Sequence, residues 1–472
     1  MAPSKIAMTK QSSQPDRRFA IGLVAVFVTQ FVSYLLINAR NIANPVMIAE
    51  FDGMALFPWL IALPALSGAI GTLLSGKLSD MYGRRAVLLS AILIFALGLL
   101  LMAFSRSMVF TIAAHTFMSL GHFPIVPLCF AVIGDLFGAT ERAKWTGLLN
   151  ISTSAAALVG PTLGGFVTES ALGWRAVFWG TVPLLVLAGS LVAVGVAGRQ
   201  QRAKQQVDVI GIVGMVIAVS TLMFGVAWLG QPDSFRWSLI LLPISALAWA
   251  GFIYVEKRAE APILDPQVLF NRTFMTAAGS GLLGMFGMLS IMAYSPIFAQ
   301  EVMAVSPTTS GSILTPYIVI VAVMGIVAGF LLARTKRYRW MYNSSYLVVL
   351  LSMLVMWRFT AATPIWLYIL VTGIAGLGLG AIPTVNTLVA QYAVPKRLLG
   401  VAVGAIFFFQ MLGLTVAPAI LGLAQNSTPD LESGLARVFL VSAIATGVAL
   451  LLILTIPAIA IDTEVAEPKP RA

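Results

Sequence analysis

A strongly apolar stretch near the N-terminus contains polar side chains that could bind a charged or polar ligand. The segment LINARNIANP, residues 36–45, carries an arginine and three asparagines where a membrane helix ordinarily carries Leu and Val. At 100° per residue, the polar residues of this region occupy a helical arc of about 160°; they are Gln30, Ser33, Tyr34, Asn38, Arg40, Asn41 and Asn44. Because a charge facing lipid costs at least ~2.5–3.5 kcal/mol near the bilayer centre, we expect this stripe to face protein or a water-filled cavity.

The only two histidines, His115 and His122, are the candidates for carrying a proton. They lie seven residues apart, which places them about 20° apart on one helix face. Arg40 and His115 are similarly far from the outer ends of their spans, so we expect them at similar depth, with His122 nearer the midplane. Two ordinary interpretations stay open: both histidines can be hydrogen-bonded packing residues, and Arg40 can extend to the outer headgroups.

The elements that must position these residues are membrane-spanning helices. Of the 472 residues, 59% are hydrophobic and only 10% are charged, against about 25% charged in soluble domains. Fourteen apolar runs are long enough to span a bilayer as helices, and they lack the short alternating segments of a β-barrel. Their approximate limits are 20–45, 55–75, 86–104, 108–135, 145–168, 175–197, 209–229, 237–255, 274–299, 307–333, 341–358, 363–391, 398–424 and 434–461.

The net charge of +11 is explained by membrane topology. With both termini in the cytoplasm, about four fifths of the 29 lysines and arginines fall on the cytoplasmic side, as the positive-inside rule requires. No nucleic-acid partner is needed to explain the basic excess; the expected surroundings are the lipid bilayer of the cell membrane. The first eighteen residues do not resemble a cleaved signal peptide, and the single Cys129 permits no intrachain disulfide.

Two longer polar stretches divide the chain. Both are predicted on the cytoplasmic side, and they bracket spans seven and eight. A weak internal repeat supports this division, because GKLSDMYGRR after span two resembles GFLLARTKRY after span ten. The predicted units are a cytoplasmic segment 1–19, a six-helix bundle 20–197, an inserted helix pair with its linkers 198–273, a second six-helix bundle 274–461 and a cytoplasmic tail 462–472.

The segment GKLSDMYGRR has residues suited to fastening a moving interface. Gly76 and Gly83 permit tight turns, Asp80 places an acid at the cytoplasmic mouth of span two, and Arg84 and Arg85 begin span three. Such a cluster can form charge-assisted hydrogen bonds with a neighbouring helix end. The alternative is an ordinary basic turn that obeys the positive-inside rule.

Taken together, these motifs resemble the major facilitator superfamily, in its fourteen-helix drug:proton antiporter branch of multidrug-resistance-type efflux transporters. GKLSDMYGRR resembles the loop signature of the superfamily, and LVGPTLGG, residues 158–165, resembles the antiporter signature of helix five. GWRAVFWGTVP, VDVIGIVG, EKRAEAPILD and GLGLGAIP follow in the expected order. The resemblance implies two six-helix bundles that alternate between inward-open and outward-open states, with two extra peripheral helices.

Small residues of the fifth span fit this implied role. Gly160, Gly164 and Gly165 allow another backbone to approach closely, and Pro161 removes one helix hydrogen bond and permits a bend. Ordinary small-residue packing explains each glycine equally well when it is taken alone.

The chain departs from the branch at the polar stripe. Members usually carry an acid in helix one where Leu36 stands, and an arginine in helix four at the position matched by His115. None of the 18 acids lies deep in a predicted span, so the cavity is expected to be neutral to positive. An anionic or polar neutral cargo held by Arg40 with Asn38 and Asn41 therefore fits better than a lipophilic cation.

The predicted function is proton-coupled export of a small organic molecule, with import or facilitated movement of an organic anion as the alternative. Tyr294 and Gln410 are additional candidates for residues that line the cavity, although single polar residues in spans are usually interhelical hydrogen bonds. A membrane-embedded enzyme is disfavoured, because histidine, cysteine and acids are not clustered. No metal and no cofactor are expected, and the chain is expected to act as a monomer.

Overall fold

The computed structural model describes residues 17–53, 56–198, 209–229, 234–259, 262, 264–305, 307–335 and 337–456. Every regular element in these ranges is helical. The first nine helices are α1 (Arg17–Glu50), α2 (Phe57–Tyr82), α3 (Arg84–Ala103), α4 (Met108–Leu136), α5 (Ala139–Glu169), α6 (Arg175–Trp179), α7 (Val182–Gly195), α8 (Val209–Ala227) and α9 (Phe235–Glu256).

The second part of the chain continues with eight α-helices: α10 (Pro266–Leu269), α11 (Arg272–Leu289), α12 (Ser295–Ile297), α13 (Pro307–Thr335), α14 (Tyr338–Met356), α15 (Ile365–Tyr392), α16 (Leu399–Gln425) and α17 (Leu431–Leu454). Two π-helical turns, Ser290–Tyr294 and Phe298–Val302, join α11 and α12 into one long segment. A short 3₁₀ turn, Lys396–Leu398, leads into α16.

Eleven helical segments among the described residues are long and apolar enough to cross a membrane. Helices α2, α8 and α14 occupy the three remaining positions at which the sequence predicts spans. A helix satisfies its backbone hydrogen bonds internally, which is the condition for crossing hydrocarbon. The chain is therefore a multi-pass membrane protein, and the predicted spans fall on observed helices.

Some helix starts are fixed by side chains that accept hydrogen bonds from the first turn. Ser107 caps α4 through the backbone N–H of Phe110, and Asn271 caps α11 through that of Phe274. These caps satisfy N–H groups that have no partner within the helix. They mark the ends at which α4 and α11 enter the bundle.

The buried apolar residues form two separate clusters. One is built almost wholly from α1 to α7, and the other mainly from α11 to α17. Helices α8 and α9 pack against each other, and α8 also lies against α2 and α16. This arrangement matches two bundles with a helix pair at their edge.

The two bundles meet chiefly through α2 against α16 and α5 against α13. We call the end of the molecule at which α1 begins the inner end, and the opposite end the outer end. Among the described residues, the polar side-chain bonds that join the bundles are made by Asp80, Asn150 and Gln391, which lie in the inner halves of α2, α5 and α15. The inner end is thus closed by direct contact between the bundles.

Candidate functional site

Arg40 and His115 are in contact across the interface of α1 and α4. The Nη1 atom of Arg40 hydrogen-bonds to Nε2 of His115, so the prediction that the two residues lie at similar depth is confirmed. Arg40 is half-buried, and His115 is buried. The ion pairs formed among the described residues do not include Arg40.

His122 lies deeper on the same helix and packs into the first bundle. Its Nε2 atom lies 3.1 Å from the backbone oxygen of Ser33, so Nε2 carries the proton that this oxygen accepts. The imidazole ring stacks on Phe95 of α3, with 4.6 Å between ring centroids. His122 therefore has the contacts of a hydrogen-bonded packing residue, whereas His115 faces the guanidinium.

Several buried polar atoms around this pair have no hydrogen-bond partner in the described part of the chain. They are Ser33 Oγ, Arg40 Nε, His115 Nδ1, Ser119 Oγ and His122 Nδ1. An unpartnered buried donor or acceptor costs about 1–3 kcal/mol. The α1–α4 interface thus contains buried polar atoms whose hydrogen-bonding capacity is unused among the described residues.

The rest of the predicted stripe does not face one common partner. Gln30 is fully buried against α5, donating from Nε2 to the Leu149 oxygen at 3.2 Å and to Thr153 Oγ1 at 3.1 Å. Asn38 donates to the backbone oxygen of Tyr34 at 2.8 Å. Tyr34 and Asn44 are half-buried, and the side chain of Asn41 lies outside the described residues. The arc is shared between α4 and α5.

At the inner end, Asp80 joins the two bundles. Its carboxylate accepts the backbone N–H groups of Gly400 at 3.0 Å and Val401 at 2.8 Å, so it caps the first turn of α16 from across the interface. Arg84 forms ion pairs with both acids, through Nη1 with Asp80 at 2.6 Å and through Nε with Asp135 at 2.8 Å.

Gly76 and Gly83 have the roles that their positions suggest. Gly83 has φ +92°, a left-handed conformation that other residues adopt rarely, and it turns the chain from α2 into α3. A Cβ atom on Gly76 would collide with the backbone of Gly400 and Gly404 in α16. Arg85 is half-buried and forms no ion pair with an acid among the described residues.

A second glycine contact joins α5 to α13, and sequence reasoning did not predict it. A Cβ atom on Gly147 would lie 2.8 Å from Cα of Gly329, and one on Gly329 would lie 2.6 Å from Cα of Gly147. Beside it, Asn150 Nδ2 donates to Thr384 Oγ1 at 3.0 Å. The internal repeat could have predicted this contact, because Gly76 and Gly329 are the first residues of its two similar segments.

The glycines of α5 allow close approach to α1. A Cβ atom on Gly160 would lie 2.5 Å from Asn38 Cβ, and one on Gly164 would meet the backbone of Ala39. Gly165 is half-buried, and Pro161 lies within the continuous helix α5. These glycines therefore serve packing inside one bundle, next to Arg40.

In the second bundle the structure reveals a polar cluster that sequence reasoning did not single out. Tyr342 of α14 donates to Asn386 Oδ1 of α15 and contacts Ser280 Oγ of α11 at 2.8 Å. The predicted Gln410 is buried nearby, with its Nε2 atom unpartnered among the described residues. Tyr294 is buried in the π-helical turn after α11, away from these residues.

A family model described as Major Facilitator Superfamily matches residues 26–418. The chain belongs to the major facilitator superfamily. Members of this family are transporters, and this transporter is not an enzyme.

Two curated relatives of this superfamily member are bacterial multidrug proteins. The multidrug transporter protein MdtP of Bacillus subtilis is 29% identical over 422 residues, covering 89% of this chain and 77% of the relative. Multidrug resistance protein 3 of the same organism is 28% identical over 388 residues, covering 81% and 74%.

Solved structures show the same fold. The human organic anion transporter MFSD10 aligns with a TM-score of 0.66 and 14% identity, covering 93% of this transporter and all of that chain. The transporter FucP in its outward conformation aligns with a TM-score of 0.67 and 12% identity, covering 93% and 99%.

At the outer end, Glu50 fastens α1 to α6. Its carboxylate accepts from Arg175 Nη2 at 2.8 Å and from Trp174 Nε1 at 2.6 Å. The hydrogen bond from Arg175 is the main cause of a lowered Glu50 pKa, followed by that from Trp174. A depressed carboxylate pKa stabilises the fold above the pKa of the unfolded chain, and the effect is lost as pH falls through the lowered value.

We expect Glu50→Gln to reduce thermal stability slightly at pH 7, by under about 1 kcal/mol, because the pair is partly exposed. The difference between wild type and variant should vanish at a pH below the lowered pKa. Thermal unfolding measured from pH 7 down to pH 3 checks this, with Glu141→Gln as the control. A constant difference across this range contradicts the expectation.

Proposed function

We propose that this transporter is a secondary active exporter of small organic molecules, working by alternating access as a monomer. Export is the direction expected of a relative of a multidrug transporter and a multidrug resistance protein. In this proposal both termini are cytoplasmic, and the bundles 20–197 and 274–461 rock against each other while the pair within 198–273 stays at their edge. The close contacts at the inner end then belong to a state that is shut toward the cytoplasm.

We further propose that the cargo is anionic or polar and neutral. The observation that carries this proposal is the half-buried Arg40, whose hydrogen-bond partner is a histidine and not an acid. A cation removed from water without a counter-charge is unfavourable, and an anionic cargo supplies that charge. The unpartnered Nε of Arg40 offers a further donor to such a cargo.

Protons are the proposed coupling ion. The histidines are the titratable candidates at this depth, and His115 is the one in contact with Arg40. A second candidate function, import or facilitated movement of an organic anion, is favoured by the same contact, since nothing in a cationic site by itself directs export.

A thermal-shift comparison with probes of opposite charge tests the cargo class. Benzenesulfonate and benzyltrimethylammonium have similar rings and permanent charges, so their ionisation is independent of pH. We expect benzenesulfonate to stabilise the purified wild type and to lose most of this effect in Arg40→Ala.

The matched control is Arg106→Ala, which removes an exposed arginine from the loop before α4. This variant should respond to benzenesulfonate as the wild type does. Stabilisation of the wild type by benzyltrimethylammonium alone would refute an anionic cargo, as would an undiminished benzenesulfonate effect in Arg40→Ala.

A further inference from the structure

We infer that proton binding at His115 and anion binding at Arg40 reinforce each other, so that this site moves a proton and an organic anion in the same direction. The inference rests on the proposed anionic cargo and adds the sign of the coupling. It departs from simple exchange, in which proton and cargo compete for one site.

The contact between Arg40 and His115 requires one particular protonation state of His115. A guanidinium carries only hydrogen-bond donors, so the Nε2 atom of His115 must be the acceptor. A protonated imidazole has donors at both nitrogens and no acceptor. His115 is therefore neutral in this state, with its proton on Nδ1, and it occupies one donor of Arg40.

Among the described residues, few charged groups lie near His115. The titratable groups that act on its charge are Arg40 from α1 and His122 from α4 itself. Tyr34 of α1 lies beside Thr153 of α5, and the Cys129 thiol of α4 donates to the backbone oxygen of Val26. The charged residues of α4 and of the helices packed against it lie at or near helix ends, apart from Arg40; they are Arg17, Arg18, Glu50, Lys77, Asp80, Arg84, Arg85, Asp135, Glu141, Arg142, Lys144 and Glu169.

Protonation of His115 breaks its hydrogen bond with Arg40. When Nε2 of His115 accepts a proton from water, it becomes a donor, and its bond with Arg40 cannot persist. Two adjacent cations then repel each other, and Nη1 of Arg40 is free together with Nε, which has no partner among the described residues. Both changes favour an anion, because the guanidinium fork binds sulfonate or carboxylate oxygens in a bidentate manner.

The reverse effect follows by linkage. An anion that bonds to Arg40 displaces His115, exposes the Nε2 lone pair and offsets the positive charge that opposes protonation. Coupling between two bound species is reciprocal, so the anion strengthens proton binding by the factor by which the proton strengthens anion binding. A cationic cargo has the opposite sign, since it competes with the proton.

The sign of this coupling decides what can drive transport. With this sign an inward proton gradient opposes the export of an anion, so this coupling favours the second candidate function, uptake of an organic anion, over proton-driven export. An inward proton gradient drives the same anion inward. Only a cargo that competes with the proton is exported at the expense of that gradient.

Calorimetry of the full chain in neutral detergent measures the sign directly. Benzenesulfonate is titrated in two cationic buffers of different ionisation enthalpy, bis-Tris and imidazole, and the difference in heat gives the protons taken up per anion bound. We expect net uptake that approaches one proton, and a Kd that weakens by up to about tenfold for each unit rise in pH.

The test variant is His115→Gln, whose amide oxygen can still accept from Arg40 but does not titrate. It should bind benzenesulfonate without proton uptake and with a Kd that does not depend on pH. The control is Thr116→Val on the adjacent position, whose hydroxyl bonds within α4; it should behave as the wild type. If His115→Gln fails to fold, the proton uptake measured with the wild type still decides the sign of the coupling.

Proton release on anion binding, or uptake that persists in folded His115→Gln, would overturn the inference and leave the anionic cargo standing. Binding of benzyltrimethylammonium without any binding of benzenesulfonate would instead overturn the proposed cargo. The two failures are therefore distinguishable in one set of titrations.

Discussion

Replacing Asp80 by Asn is expected to open the inner end and to reduce transport by more than tenfold. The carboxylate accepts two backbone N–H groups of α16 and pairs with Arg84. Hydrogen bonds to charged groups contribute about 1.5–3 kcal/mol each. Losing even one such bond shifts the closed state relative to the open one by tenfold or more.

The measurement is the distance between spin labels across the inner interface. Exposed Glu141 at the start of α5 and exposed Arg334 at the end of α13 are replaced by Cys in a background where Cys129 is Ser. In the Asp80→Asn variant we expect a second, longer distance population.

Asp135→Asn is the matched control for this variant. It removes the other acid that pairs with Arg84, and the described contacts of Asp135 do not include α16. It should keep the closed distance. An unchanged distance distribution in Asp80→Asn would show that the cap does not hold the inner end shut.

Replacing Gly147 by Val is expected to abolish transport with little loss of folded protein. The added side chain would meet Cα of Gly329 and the backbone oxygen of Ile326, 2.8 and 2.9 Å from its Cβ position. Neither backbone atom can rotate away, so the bundles must separate at this point. The inner-closed state then becomes inaccessible while the cores of the separate bundles stay packed.

Gly251→Val tests whether a larger residue in a membrane helix is harmful in itself. Gly251 lies in α9, and a Cβ there meets no atom within 4 Å. This variant should transport normally, whereas Gly147→Val should show the longer distance between labels at positions 141 and 334. Normal transport by Gly147→Val would mean that α5 and α13 need not approach this closely.

The helical wheel grouped residues that the structure divides between two neighbouring helices. It placed Arg40 and Gln30 in one polar arc, and the depth comparison correctly brought Arg40 to His115. A wheel cannot distinguish which neighbour a residue faces when several helices surround one. Gln30 bonds to α5 and Arg40 bonds to α4, although their positions on α1 differ by only about 80°.

The internal repeat could have predicted both glycine contacts between the bundles. Gly76 and Gly329 open its two copies, and each packs against the backbone of the opposite bundle. Asp80 has no counterpart, because Ala333 occupies the corresponding position. The two glycine contacts are thus alike, while an acidic cap across the interface is present at only one of them in the part of the chain that the structure describes.

The sequence by itself determined that this chain crosses the membrane many times and belongs to a family of transporters. Apolar length and charge distribution depend on local transfer energies, and these can be read residue by residue. Only the tertiary structure decided that Asp80 caps α16, that Gly147 meets Gly329 and that His115 accepts from Arg40. These partners are far apart in the chain, and they are selected by the simultaneous packing of several helices, which no local pattern records.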